Sequence, residues 1–381
     1  MSHDIVDSVK RSRILLGNEL PGARSLSPDL YTNPAVFDLE LERVFRNQWL
    51  CIGRQSQLAQ VGDHFCVELL GQRLIAIRAR HDAIRVLSPV CSHRGSLITC
   101  ETGTVTRLQC PYHKWVYDLE GRLIATPLMA IQGELARDLD LQSFACEIWH
   151  GWIMVNLDGR APPLAETTAE ISGQINPWNI GAMVPLCDPI VFEGNYNWKI
   201  VCDNQGESYH LIGPHAQSVA PYVRPQDSAF YSDLKTYVKS EFPSASGAIQ
   251  PVFGERPAWV PAGFNGSWSY NLFPNHIFVV TDDFVVWQHQ LIHGYDRCTN
   301  VMWVLGHPAV KELPNFAAQV LGVRNGVLRV EGEDQESFET VWAGLRAGGA
   351  RPGPFASSER GSWLWQRWLV DALAGHTVEK I

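Results

Sequence analysis

Positive charge is in short supply in this chain of 381 residues: 31 lysines and arginines face 40 aspartates and glutamates, for a formal net charge of −9. A basic footprint for phosphate backbones or anionic lipid is therefore absent, which excludes nucleic acid and membrane surfaces as expected partners. Long hydrophobic runs are missing too, and no stretch approaches the ~20 apolar residues of a membrane span. The opening MSHDIVDSVKRSRILLGNEL has neither the apolar segment nor the small-residue cleavage site of a secretory signal, so a soluble, cytoplasmic protein is expected. No glycine-rich dinucleotide fingerprint is visible, so any nicotinamide cofactor must act through another chain. Nine cysteines, an odd number spread over a long chain, exclude a disulfide framework and read as reduced thiols, with metal ligands among them.

What remains is ordinary globular composition, 45% hydrophobic and 19% charged, in a chain long enough for two or three domains. Asn33-Pro34 has the form of a helix cap and first helical position, and Phe37, Leu41, Val44 and Phe45 follow at helical spacing. Residues 1–45 thus read as a helical segment. Short β-rich runs such as FCVELL, RLIAIRA and EIWHGWIMVNL, punctuated by turn formers, make 46–157 a small antiparallel β domain. Residues 158–184, with Ala161-Pro162-Pro163, read as a surface connection, and 185–381 as a second domain of mixed strands and helices. There WSYNLFPNHIFVVTDDFVVWQHQLI forms consecutive strands, and the tail is helical.

Within the β domain, Cys91-Ser92-His93 and Cys110-Pro111-Tyr112-His113 each offer one thiolate and one imidazole from a tight loop. That set suits a [2Fe–2S] cluster in which one iron takes both sulfurs and the other both nitrogens. Structural zinc also uses two cysteines and two histidines, although its knuckles favour pairs of like residues. The other cysteines, Cys51, Cys66, Cys100, Cys146, Cys187, Cys202 and Cys298, are isolated and read as buried structural thiols.

Downstream, NWKIVCDNQGESYHLIGPH places His210 and His215 five apart, with Gly213-Pro214 breaking any helix between them. Two histidines and one carboxylate form the open-sided triad of oxygen-activating iron(II) enzymes. Glu207 and His210 stand three apart on an expected helix, so that carboxylate can accept the ring N–H. Glu207-x-x-His210 and Glu147-x-x-His150 also have the spacing of carboxylate-bridged di-iron bundles, but the second pair falls in a strand-like run, where it cannot share a face. The acidic run EGEDQESFETVW is equally a helix N-terminus carrying carboxylates favoured by the dipole. The aromatics between Trp268 and Trp287 are core by default; Trp268, Asn271, Phe273 and Asn275 are the ones that would line a cavity.

The runs CSHRG at 91–95 and CPYHKW at 110–115, with Asn197-Trp198-Lys199 and the acid-x2-His-x4-His pattern at Glu207, His210 and His215, resemble the α subunits of Rieske non-haem iron oxygenases. The likeness runs from YTNPAVFDLELERVFRNQW to Asp334. It implies an α+β fold in which an antiparallel β Rieske domain is inserted in a helix-grip-like (START/Bet v 1-like) catalytic domain that includes the N-terminal helical segment. It implies a [2Fe–2S] cluster on Cys91, His93, Cys110 and His113, and Fe2+ on His210, His215 and Asp334, the aspartate opening a C-terminal helix. Glu207 then becomes the bridge that carries electrons between the cluster of one subunit and the iron of its neighbour in an α3 homotrimer, with or without β subunits. NAD(P)H electrons arrive through a ferredoxin or flavin reductase. With O2, such enzymes carry out ring dihydroxylation, monohydroxylation or oxidative demethylation of a small organic substrate, often in aromatic compound catabolism. The competing function is Rieske-type electron transfer without oxygenase activity. One departure is Gln205, where the family often has an aromatic, and it bears on the pocket wall. An aromatic or other hydrophobic substrate is expected.

Overall fold

Alternating apolar residues and tight turns organise residues 47–164 of the computed structural model into one unit, while residues 1–46 and 165–381 form another. The structure describes residues 3–99, 101–129, 138–247 and 249–375; Cys100 lies outside them.

The smaller unit holds strands β1 (Leu50–Arg54), β2 (Asp63–Leu69), β3 (Gln72–Arg78), β4 (Ile84–Leu87), β5 (Gly103–Thr104), β6 (Leu108–Gln109), β7 (Val116–Tyr117), β8 (Leu123–Ala125), β9 (Ser143–Trp149) and β10 (Trp152–Asn156). Seven of them form an antiparallel sheet ordered β1-β10-β9-β4-β3-β2-β5, and β6-β7-β8 form a second, three-stranded sheet. The β2–β3 hairpin closes on Leu70-Gly71, both at positive φ (55° and 72°), the twist that suits a two-residue hairpin turn. Ile75, Ile77 and Leu87 pack with Leu108, Trp115 and Tyr117 into a core that includes Cys91 and Cys110. Both cysteine loops are thereby anchored at their bases.

The larger unit contains α1 (His3–Leu16), α2 (Pro34–Arg43), β11 (Val184–Pro185), β12 (Ile190–Gly194), α3 (Lys199–Gln205), β13 (Ala229–Ser232), β14 (Tyr237–Phe242), β15 (Ser267–Leu272), β16 (His276–Val280), β17 (Val285–Gly294), β18 (Arg297–Gly306), α4 (Phe316–Arg346) and α5 (Arg360–Ala374). Its antiparallel sheet runs β11-β18-β17-β16-β15-β14-β13, with β12 also on β18. Asn33 caps α2 by accepting the Ala35 N–H at 3.0 Å. Among the described residues no helix is long and apolar enough to cross a membrane.

Two buried polar hubs pin α3. Glu40 of α2 accepts Lys199 Nζ at 2.6 Å and Trp198 Nε1 at 2.8 Å, with both charged side chains essentially inaccessible. Asp203 accepts Tyr31 Oη at 2.6 Å, Trp365 Nε1 at 2.7 Å and Gln366 Nε2 at 2.7 Å. Burial pushes its carboxyl up to about 6, against the three donors. At the end of α3 the backbone meets α5 closely: a β-carbon on Gly361 would lie 2.1 Å from the Gly206 carbonyl oxygen. Bulkier residues are thus barred from both positions, and the turn leading to Glu207 is held against α5.

Two expectations are corrected here. Asp334 does not open a helix: α4 begins at Phe316, so Asp334 lies about five turns inside it. Nor do Glu207 and His210 share a helix, since α3 ends at Gln205 and His210 sits in a separate 3-10 turn, Tyr209–Ile212.

Candidate metal centres

The two cysteine loops are built alike. Gly95 N–H returns to Cys91 O at 3.0 Å and Lys114 N–H to Cys110 O at 3.2 Å, and both returning residues have left-handed backbones, with φ of 73° and 62°. Such a backbone is costly for Lys114, which has a Cβ, and is kept where the loop shape matters. Both thiols are buried. The rings of His93 and His113 lie 4.6 Å apart, centroid to centroid, and His93 stacks on Trp115 at 4.5 Å. Tyr117 Oη accepts Ser92 N–H at 3.1 Å and lies 3.3 Å from Cys91 Sγ, and toward a metal-bound thiolate, which has no proton, the phenol would be the donor. Burial and the Cys91 sulfur raise the phenol, keeping it a donor. Burial opposes ionisation of Cys110, but the backbone amides of Tyr112 and His113, together with hydrogen bonds from Cys91 and Ser96, outweigh it and hold the thiol below its ordinary value. His93 Nδ1 is buried with no hydrogen-bond partner among the described residues. An orphaned imidazole nitrogen beside two buried sulfurs that collect N–H and O–H donors is the donor set a Rieske cluster takes.

In the larger unit, His210, His215 and Asp334 each bring a ligand atom within 4.8 Å of the others. His215 Nε2 is 3.0 Å and His210 Nε2 is 3.9 Å from the same oxygen, Asp334 Oδ1. The opposite ring nitrogens are both held by carboxylates: His210 Nδ1 by Glu207 at 2.7 Å and His215 Nδ1 by Glu333 at 2.7 Å. Each Nδ1 is thus engaged by an acid while each Nε2 is turned inward toward Asp334, the arrangement that orients a ligating histidine. Burial alone would lower His215, but Asp334 and Glu333 outweigh it and hold its pKa above the ordinary histidine value. Two nitrogens and one carboxylate oxygen, buried on one side, suit iron(II) with coordination positions left open.

Sequence reasoning assigned no role to several participants. Asn204 Nδ2 donates to Asp334 Oδ1 at 3.0 Å. Glu333 also accepts Arg329 Nε at 3.0 Å and the Ser218 hydroxyl, so it is itself fixed. Of the other acids near Asp334, Glu336 is exposed and Glu331 is buried. Glu147 lies in β9, accepts Leu164 N–H at 3.1 Å and precedes a turn at His150, so it shares no helix face with that histidine.

Asp334 also lines a cavity of about 730 Å³ between α4 and the sheet. Ile277, Val279, Val286 and Val327 give it apolar walls, and Gln205 also lines it. Neither Trp268 nor Phe273 reaches it. Strand alternation turns Ser267 inward and Trp268 outward onto Trp178 and Phe264, while Phe273 packs on Trp365 and Trp368.

Residues 48–145 match the Rieske [2Fe-2S] domain and residues 187–375 match the ring hydroxylating alpha subunit (catalytic domain). The chain is 30% identical to the glycine betaine monooxygenase oxygenase subunit of Chromohalobacter salexigens over 54% of its own length and 46% of that protein's, so it spans less than half of that relative. It is 25% identical to the carnitine monooxygenase oxygenase subunit of Acinetobacter pittii over 84% of this chain and 85% of that one. Among solved structures, the quaternary ammonium Rieske monooxygenase CntA superimposes with a TM-score of 0.81 at 20% identity, over 94% of this chain and 98% of that one. With a Rieske domain and a ring-hydroxylating α-subunit catalytic domain in one polypeptide, this chain belongs to the Rieske non-haem iron oxygenases, as an oxygenase subunit.

Proposed function

We propose that this chain is the terminal oxygenase of a multicomponent system, in which Cys91, His93, Cys110 and His113 hold the [2Fe–2S] cluster and His210, His215 and Asp334 hold Fe2+. The observation that carries the reading is the convergence of two imidazole Nε2 atoms on Asp334 while both Nδ1 atoms are engaged by acids. When bound, the cluster supplies single electrons and the mononuclear iron supplies dioxygen activation.

The side chains of the protein do the rest. Glu207 holds His210 through Nδ1 and serves as the electron bridge between neighbouring subunits of a homotrimer, a role its hydrogen bond to the ligand supports. Asn204 keeps Asp334 oriented, and Glu333 does the same for His215. The apolar walls beside Asp334 hold a small hydrophobic substrate and keep bulk water from the reacting carbon. Because the relatives at the sequence level include glycine betaine and carnitine monooxygenases, monooxygenation of a carbon beside nitrogen is the favoured outcome over ring dihydroxylation. Electrons come from NAD(P)H through a separate ferredoxin or flavin reductase, and the system is cytoplasmic. An electron carrier alone would have no use for the second donor set.

Oxygen uptake with a surrogate reductase tests the reading. Substrate-dependent uptake that disappears in His210→Ala is expected. Uptake of equal size in that variant, with no substrate oxidised, would overturn it.

A further inference from the structure

We propose that Gln288 is a specificity-determining residue, whose side-chain amide donates a hydrogen bond to a neutral carbonyl oxygen on an otherwise apolar substrate. The inference rests on the oxygenase reading above and extends it to how the substrate is recognised and oriented.

Strand alternation turns Val286, Gln288 and Gln290 of β17 to one face of the sheet. Gln288 is 2% exposed and lines the cavity, yet its Nε2 has no hydrogen-bond partner among the described residues. Its cross-strand neighbours on β16 and β18 are Ile277 and Met302, apolar side chains that line the same cavity. The backbone carbonyls around it are engaged in the ladders that join the three strands. Two other buried amides of this face are served by the protein itself: Gln290 donates to Trp198 O at 3.4 Å and to Cys298 Sγ at 3.3 Å, and Asn300 donates to Tyr196 Oη at 2.8 Å. A buried donor left without an acceptor is unfavourable, and an apolar side chain of the same shape would avoid the loss. The acceptor that Gln288 lacks has to come from the cavity.

The walls select the kind of oxygen. No lysine, arginine or histidine lines the cavity among the described residues, so a substrate carboxylate would meet no side-chain counter-charge there. A carbonyl oxygen accepts from the amide without bringing a donor of its own that the apolar walls would leave unmatched. Gln288 stands on the sheet wall and Asp334 on the α4 wall. An oxygen anchored at Gln288 therefore pins the substrate across the cavity from the helix that carries the metal ligand, and this one hydrogen bond selects which carbon is turned to the metal side.

The rest of the cavity takes an apolar body. Its volume of about 730 Å³ falls in the range that encloses a drug-sized molecule, and Val279, Val286 and Val327 make its surface aliphatic. Gly322 and Gly326 line the α4 wall one turn apart, and a β-carbon on either would meet nothing within 4 Å, so this side supplies space instead of packing. Smooth aliphatic walls hold such a body in several poses of similar energy. A single polar anchor is what separates them.

Equilibrium dialysis with the metal-loaded, unreduced protein tests this apart from turnover. The probes are 4-phenylcyclohexanone and phenylcyclohexane, which differ by one carbonyl group. Gln288→Met, close in size and shape, should weaken ketone binding at least tenfold, about 1.4 kcal/mol, and leave hydrocarbon affinity within about twofold. Because the amide serves the substrate and not the fold, the same variant should unfold in urea at a midpoint no lower than that of the wild type. Val286→Phe, two residues along the same strand face, changes the shape of the cavity and keeps the amide, and should shift both probes by the same factor within about twofold. Equal losses of ketone and hydrocarbon in Gln288→Met, a lowered midpoint or failure of that variant to fold, a ketone-selective loss in Val286→Phe, or no binding of either probe to the wild type overturns the proposal. Substrate-dependent oxygen uptake and iron content are separate readouts, so the oxygenase assignment stands or falls independently.

Discussion

Replacing Glu333 isolates the contribution of a group that touches no metal and orients one ligand. Its Oε2 lies 2.7 Å from His215 Nδ1, and its carboxylate is steadied by Arg329 Nε at 3.0 Å and by the Ser218 hydroxyl. Glu333→Gln retains an acceptor oxygen for the imidazole and loses the charge, so the ring keeps its orientation with less basicity. Iron(II) affinity should fall about tenfold, roughly 1.4 kcal/mol. Glu333→Ala also removes the acceptor, leaving the ring N–H unsatisfied and Arg329 unopposed, and the loss should approach about hundredfold, the upper end for such partners. Chelator competition under anaerobic conditions reads both values, with denaturant unfolding run alongside to show that the fold is kept. Glu336→Gln, an exposed acid on the same helix, should bind iron within about twofold of wild type. Equal affinities for Glu333→Gln and Glu336→Gln would refute the reasoning.

Lys199→Met strips the counter-ion from buried Glu40 and should destabilise the catalytic unit by about 3–5 kcal/mol, whereas Lys199→Met with Glu40→Gln should recover most of the loss in urea unfolding. If the double variant is as unstable as the single, the pair is not what holds α3. Asp203, pushed up from 3.8 to about 6, keeps its proton in the folded state after the unfolded chain has released it, so this group makes stability fall as pH rises between about 4 and 6. The decline is on the order of 3 kcal/mol and should vanish in Asp203→Asn; parallel stability curves for the two proteins would contradict it. Tyr117→Phe removes a donor to the Cys91 sulfur and should lower the cluster reduction potential by on the order of 60 mV, read by a redox titration followed in the visible spectrum, where an unchanged potential would argue against that bond.

Local chemistry was the legible part of the sequence. Cys91 to His93, Cys110 to His113 and Glu207 to His215 are short runs whose residue types and spacing point to metal ligands, and period-two strands marked the small β unit. What required chain-distant contact was hidden: Asp334 lies 119 residues from His215, and only a family likeness singled it out among neighbouring acids. The start of α4 was misread for a physical reason. Gly322, Gly326 and Gly332 interrupt the apolar stripe of the helix, and the first two sit where the cavity needs space rather than packing. Pocket residues fared worse, because each strand contributes single alternate positions; Ser267 faces the cavity while its large neighbour Trp268 faces away. Asn204 belonged to the family likeness and Glu333 to the acids around Asp334, but neither carried a role, since a carboxylate or amide that orients a ligand looks like any helix-surface polar residue until the fold is known.

Metal and acid-labile sulfide analysis of the wild type and His210→Ala is the most direct measurement. Two iron centres in one polypeptide require about three irons and two sulfides per chain, falling to about two irons with sulfide unchanged in the variant. Zinc without sulfide in the wild type, or the same iron content in both proteins, would contradict the account.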